Sequence, residues 1–357
     1  MKPKTIKRPI AAAIITAVLI IALIFRWPSI PKYEITDLGF CGRTGHVSAI
    51  NNAGQVTGWS RYYSGSPERY IAFVWDAVNG RKDLQTPEGK ESCGNDINDK
   101  GQVVGDLLET ATRQRRAFIW DEKTGMTELG TLGGNSSEAE AVNNKAQVVG
   151  WAETASGRKH AFIWDKTNKM QDLGTLGGII SLAVDINDKG QVVGLLSLAG
   201  GQVRAFIWEQ GAGMTDIGTL GGPFSHANAI NNSGQVIGTS AKKSGEGAFI
   251  WEQSKGITEL NLLRGRQHYA REINDQGQII GGFETRKFLF WKPHEGWYLW
   301  DPRRGAIDLD SIAQSKTGLE WVNINDKGQI VAIQPSKSGQ NHIIILTPKD
   351  KSKARDK

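Results

Sequence analysis

The fold is decided by residues 182–218, which read LAVDINDKGQVVGLLSLAGGQVRAFIWEQGAGMTDIG. A tight turn at Asn187–Gly190 stands near the start, because Asn, Asp and Gly accept the left-handed backbone angles of a hairpin. No helical period of about 3.6 residues runs through the stretch, so helix is not supported. The stretch predicts four short strands, at Leu182–Ile186, Gln191–Leu195, Ala205–Trp208 and Thr215–Gly218.

The same unit occurs seven times along the chain. Its clearest mark is the element Ile/Val-Asn-x-x-Gly-Gln, which begins at Ile50, Ile97, Val142, Ile186, Ile230, Ile273 and Ile324. Successive copies are 47, 45, 44, 44, 43 and 51 residues apart. A second element, Ala-Phe-x-Trp, follows in five copies, and we place its sixth copy at Phe288-Leu289-Phe290-Trp291. A four-stranded unit repeated at this spacing is typical of a β-propeller blade.

The two ends of the repeat region complement each other. The seventh unit has strands at Trp321–Ile324, Gln329–Ile333 and His342–Leu346, but no fourth strand follows them. The missing sequence, Ile35–Gly39, stands before the first unit instead. We therefore predict an all-β, seven-bladed propeller of four-stranded antiparallel blades over residues 33–348, closed by pairing its N-terminal strand with its last strand.

The repeats resemble those of the bacterial HAF-repeat extracellular proteins. The resemblance rests on His160-Ala161-Phe162, on the Asn-x-x-Gly-Gln-Val turns and on the Asp-Leu-Gly-Thr-Leu-Gly-Gly segments, and it extends from residue 33 to about residue 347. It implies an extracytoplasmic repeat propeller and supplies no catalytic or cofactor-binding residues. The chain departs from the pattern in three places: the His stands in one copy, Ala146 replaces a turn glycine, and the third strand of the seventh unit has no Trp.

The positive charge of the chain lies at its two ends. The whole chain carries a formal net charge of +6, with +6 in residues 1–32 and +3 in residues 349–357, which leaves −3 on residues 33–348. A negatively charged body has no electrostatic basis for binding nucleic acid. We therefore predict no nucleic-acid partner.

Residues 10–25 read IAAAIITAVLIIALIF, an uncharged run that follows four basic residues. This plan predicts a secretory signal or a signal anchor, and the run lacks an Ala-x-Ala-like cleavage site at its end. We expect a cytoplasmic basic segment at 1–9, a transmembrane signal anchor at 10–27 and a charged flexible tail at 349–357, with the propeller on the periplasmic or extracellular side of the cell membrane. A cleaved signal peptide and a buried soluble helix remain as alternatives.

Cys41 and Cys93 are the only cysteines, and both precede the first strand of a unit. They are a disulfide candidate outside the cytoplasm, although two free buried thiols also fit. The Asp96–Gly101 segment looks like a shortened calcium loop, but Lys100 stands where a third ligand is needed. We interpret it as a hairpin turn stabilised by its Asn, and we predict no metal and no cofactor.

Aromatic side chains recur at one position of each unit. A ligand platform of these Trp residues is one interpretation. Because every blade needs them at the same place, we interpret them as core residues that cover the faces of neighbouring blades.

A binding site is expected where the blades differ. Four and two residues before each recurring Ile or Val, the residues vary and are often polar, and in a propeller they begin the innermost strands near the mouth of the central channel. The candidate ligand-binding residues are His46, Glu138, Glu140, His226, Tyr269, Arg271 and Glu320. A solvated funnel without a ligand is the alternative.

The sequence contains no catalytic constellation. It has no Gly-x-Ser-x-Gly, His-Glu-x-x-His or phosphate loop, and Glu138 and Glu140 lie on one strand instead of facing each other across a cleft. We predict a monomeric, membrane-anchored, non-enzymatic binding or scaffold module for a protein or glycan partner. The alternative is a hydrolase or lyase that acts on cell-envelope carbohydrate.

Overall fold

The computed structural model describes residues 32–40, 45–62, 69–243, 245–261, 267–284, 295–315, 317–336 and 341–349. These residues form seven antiparallel sheets of four strands each, which confirms the seven-bladed propeller. The predicted segments at 1–9 and 10–27 lie outside the described residues, as does the tail after Lys349. Within the described ranges, no helix has the length and apolar character needed to cross a membrane.

Each blade is a sheet of strands that follow one another, and the first strand of each lies innermost, beside the first strands of its neighbours. Strand β1 (Tyr33–Phe40) stands apart and belongs to blade seven. Blade one consists of β2 (His46–Ile50), β3 (Val56–Tyr62), β4 (Arg69–Asp76) and β5 (Gly80–Asp83). Blade two consists of β6 (Lys90–Ile97), β7 (Val103–Glu109), β8 (Arg115–Asp121) and β9 (Gly125–Gly130), and blade three of β10 (Gly133–Val142), β11 (Val148–Thr154), β12 (Lys159–Asp165) and β13 (Lys169–Asp172). Blade four consists of β14 (Ile180–Ile186), β15 (Val192–Ser197), β16 (Val203–Glu209) and β17 (Gly213–Asp216), and blade five of β18 (Ser225–Ile230), β19 (Val236–Lys242), β20 (Gly245–Glu252) and β21 (Gly256–Glu259). Blade six consists of β22 (Gln267–Ile273), β23 (Ile279–Glu284), β24 (Glu295–Asp301) and β25 (Gly305–Asp308), and blade seven adds β26 (Glu320–Ile324), β27 (Ile330–Pro335) and β28 (Asn341–Pro348) to β1.

The ring closes as the sequence predicted. Strand β1 pairs antiparallel with β28, from Tyr33 opposite Pro348 to Phe40 opposite His342. The Lys349 N–H donates a hydrogen bond to the Lys32 carbonyl at 2.7 Å just beyond this ladder. The first and last described residues of the chain therefore complete the same blade, which removes the open sheet edge that an unclosed ring would expose.

The third strand of blade six was predicted wrongly. The structure forms it from Glu295–Asp301, where Trp300 lies opposite Ile279 and Tyr298 opposite Gly281, and residues 288–291 lie outside the described ranges. Tyr298 is 1% exposed and occupies the place that Phe206 has in blade four. The spacing from Trp300 to Gly305 matches that from Trp120 to Gly125, and this regularity in the sequence identifies the correct strand.

One short helix, α1 (Leu309–Ala313), follows β25 in the longest repeat, where the sequence predicted no helix. The Asp308 carboxylate caps it by accepting hydrogen bonds from the backbone N–H groups of Asp310 and Ser311. Leu309 and Ala313 are buried in the core between blades six and seven. Five residues are too few to produce a recognisable helical period, so the sequence analysis missed this helix.

The core consists of apolar layers between neighbouring blades. In one layer, Val104 and Leu129 of blade two pack with Phe162 and Trp164 of blade three. Six recurring Trp residues each pack in or against one such layer: Trp75, Trp120, Trp164, Trp208, Trp251 and Trp300. The interpretation of the repeated Trp residues as core residues is confirmed.

The recurring Asn of each hairpin turn bridges two blades. The Asn187 amide nitrogen donates to the Gln191 side chain at 2.7 Å and to the Asn231 carbonyl of the next blade at 3.0 Å, and its oxygen accepts from the Lys189 and Gln191 N–H groups. The same bond to the next blade runs through every hairpin, from Asn51 to Asn98 and onward until Asn325 donates to Asn51. We call this closed circle the Asn ring, and it explains why the turns require Asn and Gln.

A second circle lies beside the Asn ring. It contains Asn52, Asp99, Asn144, Asp188, Asn232, Asp275 and Asp326, each of which donates its backbone N–H to the next side chain. Asp99 belongs to the Asp96–Gly101 segment that looked like a shortened calcium loop. Its carboxylate accepts from the backbone and the side chain of Asn52, in agreement with the interpretation of this segment as a hairpin turn.

Candidate binding site at the mouth of the central channel

The mouth of the channel lies at the end opposite the Asn ring, where the innermost strands begin. In six blades, the residue two before the recurring Ile or Val is a β-bulge that has no partner on the second strand. A bulge inserts one residue and redirects its side chain. These side chains line a cavity of about 490 Å³. The six bulge residues are Ser48, Asn95, Glu140, Val184, Asn228 and Arg271.

Blade seven begins differently from the others. Trp321 has a left-handed backbone with φ of 52°, and the following Val322 is fully buried. The strand irregularity therefore turns the Trp321 side chain outward, where it is 42% exposed. Trp321 was not among the predicted site residues. The signal was available in the sequence, because the corresponding residue is small or aliphatic in every other blade, as with Val47 and Ala139.

Aromatic rings follow one another across blades six, seven and one. Trp321 contacts the His46 ring with centroids 3.9 Å apart, and His46 stacks on Trp59 at 5.2 Å. Arg271 lies over Trp321 at 5.5 Å and over Trp297 at 5.7 Å. We call this row the aromatic belt; it comprises Tyr269, Trp297, Arg271, Trp321, His46, Trp59 and Tyr70.

His46 is a neutral imidazole within this belt. Burial, and after it the nearby Arg271 guanidinium, lowers the pKa of His46 to about 4. The Ser48 hydroxyl donates to the Gly94 carbonyl at 2.7 Å, so its oxygen is left to accept from His46 Nδ1 at 3.1 Å. This bond places the imidazole proton on Nδ1 and leaves Nε2 as an acceptor.

Carboxyl groups dominate the mouth at blades two and three. Arg115 contacts Asp106 at 2.6 Å and Glu138 at 3.7 Å. Burial is the main cause that raises the pKa of Asp106 to about 7 and that of Glu140 to about 8, and the Glu138 carboxyl adds to both. We call Asp106, Glu138 and Glu140 the acidic patch.

Three further carboxyl groups form a waist midway along the channel. Asp96 accepts from the Ile97 N–H and from the Val142 N–H of the next blade, both at 2.8 Å, and Asp185 does the same with Ile186 and Ile230. Burial raises the pKa of Asp96 to about 6 and of Asp185 to about 7, and it raises that of Glu272 as well. These residues were not among the predicted site residues, although their position alternates between Ala and an acidic residue through the first six blades.

The predicted site residues fall into separate groups. His46, Tyr269 and Arg271 lie in the aromatic belt, whereas Glu138 and Glu140 lie in the acidic patch. His226 stacks on Phe224 at 6.2 Å, and burial lowers its pKa, while Glu320 is exposed on β26. Among the described residues, no ring contact, ion pair or hydrogen bond joins the side chains of His226 or Glu320 to the belt. That these seven residues form one binding site at the mouth stays a prediction.

Two further predictions concern a disulfide between Cys41 and Cys93 and the absence of a metal site. Cys93 lies opposite Asp106 on β7, and burial raises the pKa of its thiol, whereas Cys41 lies outside the described residues. The disulfide therefore stays a prediction. Within the ranges that the structure describes, no group of three His, Cys, Asp or Glu side chains is arranged to hold a metal ion.

Residues 33–132 match a family described as a protein of unknown function (DUF3466). The match covers β1 and the first two blades. Comparison with curated proteins gives no match. The resemblance to HAF-repeat proteins stays a prediction.

Solved structures with the same fold include propeller domains of hydrolytic enzymes. The β-propeller domain of the Trilobed protease from Pyrococcus furiosus has 12% identity and a TM-score of 0.61, covering 88% of this chain and 97% of that one. It is described as having an open velcro topology, whereas β1 closes the ring here.

A puromycin hydrolase mutant in complex with PGG has 13% identity and a TM-score of 0.57, covering 82% of this chain and 50% of that one. The acylaminoacyl peptidase from Pyrococcus horikoshii has 10% identity and a TM-score of 0.55, with 89% and 55% covered. This chain thus spans about half the length of these two enzymes. At such low identity the likenesses show the fold alone.

Proposed function

We propose that this propeller is a non-enzymatic binding module, held outside the cytoplasmic membrane by residues 10–27, that recognises a glycan or protein partner at the channel mouth. The observation that carries the proposal is the aromatic belt. Tyr269, which lines the polar cavity, is 43% exposed, and Trp321, which lies 5.5 Å from the cavity-lining Arg271, is 42% exposed. Exposed aromatic rings around a concave polar site are the usual composition of a binding site.

The backbone of Trp321 supports a role beyond packing. A left-handed conformation costs a side chain other than glycine about 1 kcal/mol. Here that conformation exposes a large apolar ring, although the neighbouring Val322 fills the core. The same irregularity places Val322 in the core, and a ligand that covers the exposed indole would offset the strain further.

The orientation of the propeller agrees with this proposal. Lys32 and Lys349 are paired at the end of the channel where the Asn ring lies, since Tyr33 and Pro348 lie beside Gly328 of the last hairpin. With an anchor at 10–27, the chain therefore enters the propeller at the face that carries the Asn ring. The mouth at the opposite face then points away from the membrane, toward partners.

Photo-cross-linking in cells that produce the full chain tests the proposal. Tyr269→p-benzoylphenylalanine places a photoreactive ring in the aromatic belt, and Val78→p-benzoylphenylalanine places it on the β4–β5 hairpin of the opposite face, where Val78 is 90% exposed. We expect a discrete cross-linked product from position 269 only. The proposal is wrong if position 269 gives no product, or if position 78 gives the same one.

One observation favours the alternative of a carbohydrate hydrolase or lyase. The pKa of Glu140 is raised to about 8 beside a second carboxyl, Glu138, and a protonated acid next to another carboxyl is a feature of glycoside hydrolysis. The purified ligand should therefore be incubated with wild type and with Glu140→Gln. Binding without cleavage supports the module, whereas cleavage that Glu140→Gln abolishes supports the enzyme.

A further inference from the structure

Resting on the proposed function, we infer that the mouth takes the end of a glycan made of neutral or amino sugars, with one sugar ring on the Trp321 indole and its polar groups in the cavity. The inference concerns the ligand class alone. It follows from the shape of the cavity, from its hydrogen-bonding groups, from its charge and from the aromatic surface at its rim.

The cavity admits a small end group. Its volume of about 490 Å³ falls within the range of small-molecule sites, about 300–1,000 Å³. The waist carboxyls line both this cavity and a second one of about 170 Å³ next to the Asn ring. A site of this size suits one or two terminal units of a chain that projects from the mouth.

The lining of the cavity is rich in hydrogen-bond acceptors. Asn95 donates its amide N–H to the Ala139 carbonyl at 2.9 Å, and Asn228 donates to the Ala270 carbonyl at 2.6 Å. These bonds fix both amides, so that each oxygen remains an acceptor and each nitrogen keeps one further N–H. Glu140, whose raised pKa keeps it protonated at neutral pH, can both donate and accept. The lining therefore suits a ligand whose groups donate and accept hydrogen bonds, as sugar hydroxyls do.

The cavity offers an acidic sugar a single cationic partner. Its lining contains the guanidinium of Arg271 and four carboxyl groups, from Glu140, Asp96, Asp185 and Glu272. A uronic acid would have Arg271 alone to balance its carboxylate, and any lining carboxyl that ionises would repel it at short range, where repulsion is poorly screened. Neutral hydroxyls meet no such repulsion, and an amine is attracted to an ionised carboxyl.

The belt provides the surface on which a sugar ring packs. One face of a pyranose presents C–H groups, which pack against flat aromatic rings and lose contact with water. Tyr269 offers an exposed ring in the cavity lining, and Trp321 offers one beside the lining residue Arg271, whose N–H groups can donate to ring hydroxyls. Donors, acceptors and apolar surface are thus combined in one site.

Glycan binding by the full chain in detergent micelles tests the inference. The probes are tetramers of glucose, N-acetylglucosamine, glucosamine and galacturonic acid, together with an array whose members end in neutral, amino or acidic sugars. Tryptophan fluorescence reports affinity for wild type, Trp321→Ala, Trp321→Phe and the control Ile35→Ala. Ile35 has a similar exposed fraction, 41%, but lies on the closing strand β1.

We expect at least one neutral or amino probe to bind, about tenfold weaker binding by Trp321→Ala, and binding within about threefold of wild type by Trp321→Phe and Ile35→Ala. Preferential binding of the galacturonic acid tetramer or of acidic array members overturns the inference. So does the absence of any glycan binding. If a protein is still cross-linked at position 269 in that case, the ligand class is wrong and the binding module stands; without cross-linking, both are wrong.

Discussion

The two ends of the channel differ in how they use the repeat. At the Asn ring all seven blades carry the same residue and make the same bond to the next blade. At the mouth the corresponding residues range from His46 to Glu138 and Tyr269. A circle of identical bonds holds the ring together and has no distinct place for a ligand. A rim of different residues adds little to closure and can be specific for one partner.

The second circle shows that an odd number of repeats interrupts an alternating pattern. The second circle alternates Asn and Asp, so that amide N–H groups meet carboxylates on either side, as where Asn144 donates to both Asp99 and Asp188. Seven is an odd number, and the alternation therefore fails once, where Asp275 neighbours Asp326. The hairpin turns tolerate this single break because the backbone N–H of Asp275 still donates to Asp326.

The largest effect is expected at the Asn ring. Asn187→Ala removes two donated and two accepted hydrogen bonds from a side chain that is 4% exposed, and it leaves buried N–H and C=O groups unpaired. We expect a loss of about 3 kcal/mol in the free energy of unfolding, measured by chemical denaturation.

The control for this change is Asn168→Ala. Asn168 lies in an exposed turn, where its amide donates to Asp165 at 2.7 Å. Its removal is expected to cost about 0.5 kcal/mol or less. Equal losses for the two variants would mean that the Asn ring is no more important than any turn.

At the mouth, a substitution is expected to raise the free energy of unfolding, by less than the Asn ring substitution lowers it. In the folded protein Glu140 keeps its proton up to about pH 8, whereas in the unfolded chain it loses the proton near its ordinary value, about 4.5. Unfolding therefore releases a proton between these values, so the stability from this group is complete below pH 4.5 and is lost as pH rises through 8. Glu140→Gln is expected to raise stability by about 2 kcal/mol at pH 9 and to leave it unchanged at pH 4.

Thermal denaturation across this pH range measures the difference. The control is Glu122→Gln, because the Glu122 side chain is 76% exposed and its salt bridge with Lys82 lies at the surface. It should shift the melting temperature little at either pH. A gain from Glu140→Gln that is the same at pH 4 and pH 9 would contradict the burial of this carboxyl.

The smallest change in the free energy of unfolding is expected at the hairpin turn that has Ala146 in place of the recurring glycine. Ala146 has a φ of 60°, where the other turns have glycines such as Gly190 at 83°. Ala146→Gly is expected to stabilise the protein by about 0.5–1 kcal/mol, because glycine adopts this conformation without steric strain. The reverse change, Gly190→Ala, should destabilise it by a similar amount in the same denaturation assay, and a gain from both changes would refute the explanation.

The repeats made most of the fold predictable. The recurring hairpin, the apolar strands and the separated pieces at Ile35–Gly39 and His342–Leu346 indicate seven blades and their closure, because each depends on local turn chemistry and on matching ends. The errors arose where the repeat is interrupted. Blade six carries a longer connection, which displaced the prediction of its third strand from Trp300 to Trp291, and the same long repeat contains α1 after β25.

The candidate site was harder to predict because the innermost strands are irregular. Regular alternation places side chains two residues apart on the same face, but the bulges at Glu140 and Arg271 insert one residue and bring the next position into the channel as well. The waist carboxyls were missed for this reason. Trp321 was missed because its exposure depends on a left-handed backbone angle that the residue type does not favour.

Side-by-side measurement of affinity and stability in Trp321→Ala and Asn187→Ala tests most directly whether the mouth binds and the Asn ring closes the propeller. The ligand is the neutral or amino sugar tetramer that wild type binds most tightly. We predict that Trp321→Ala loses about tenfold in affinity with little change in the denaturation midpoint, and that Asn187→Ala loses stability but binds as wild type does at low denaturant. Wild-type affinity in Trp321→Ala, together with a lowered midpoint, would contradict this account.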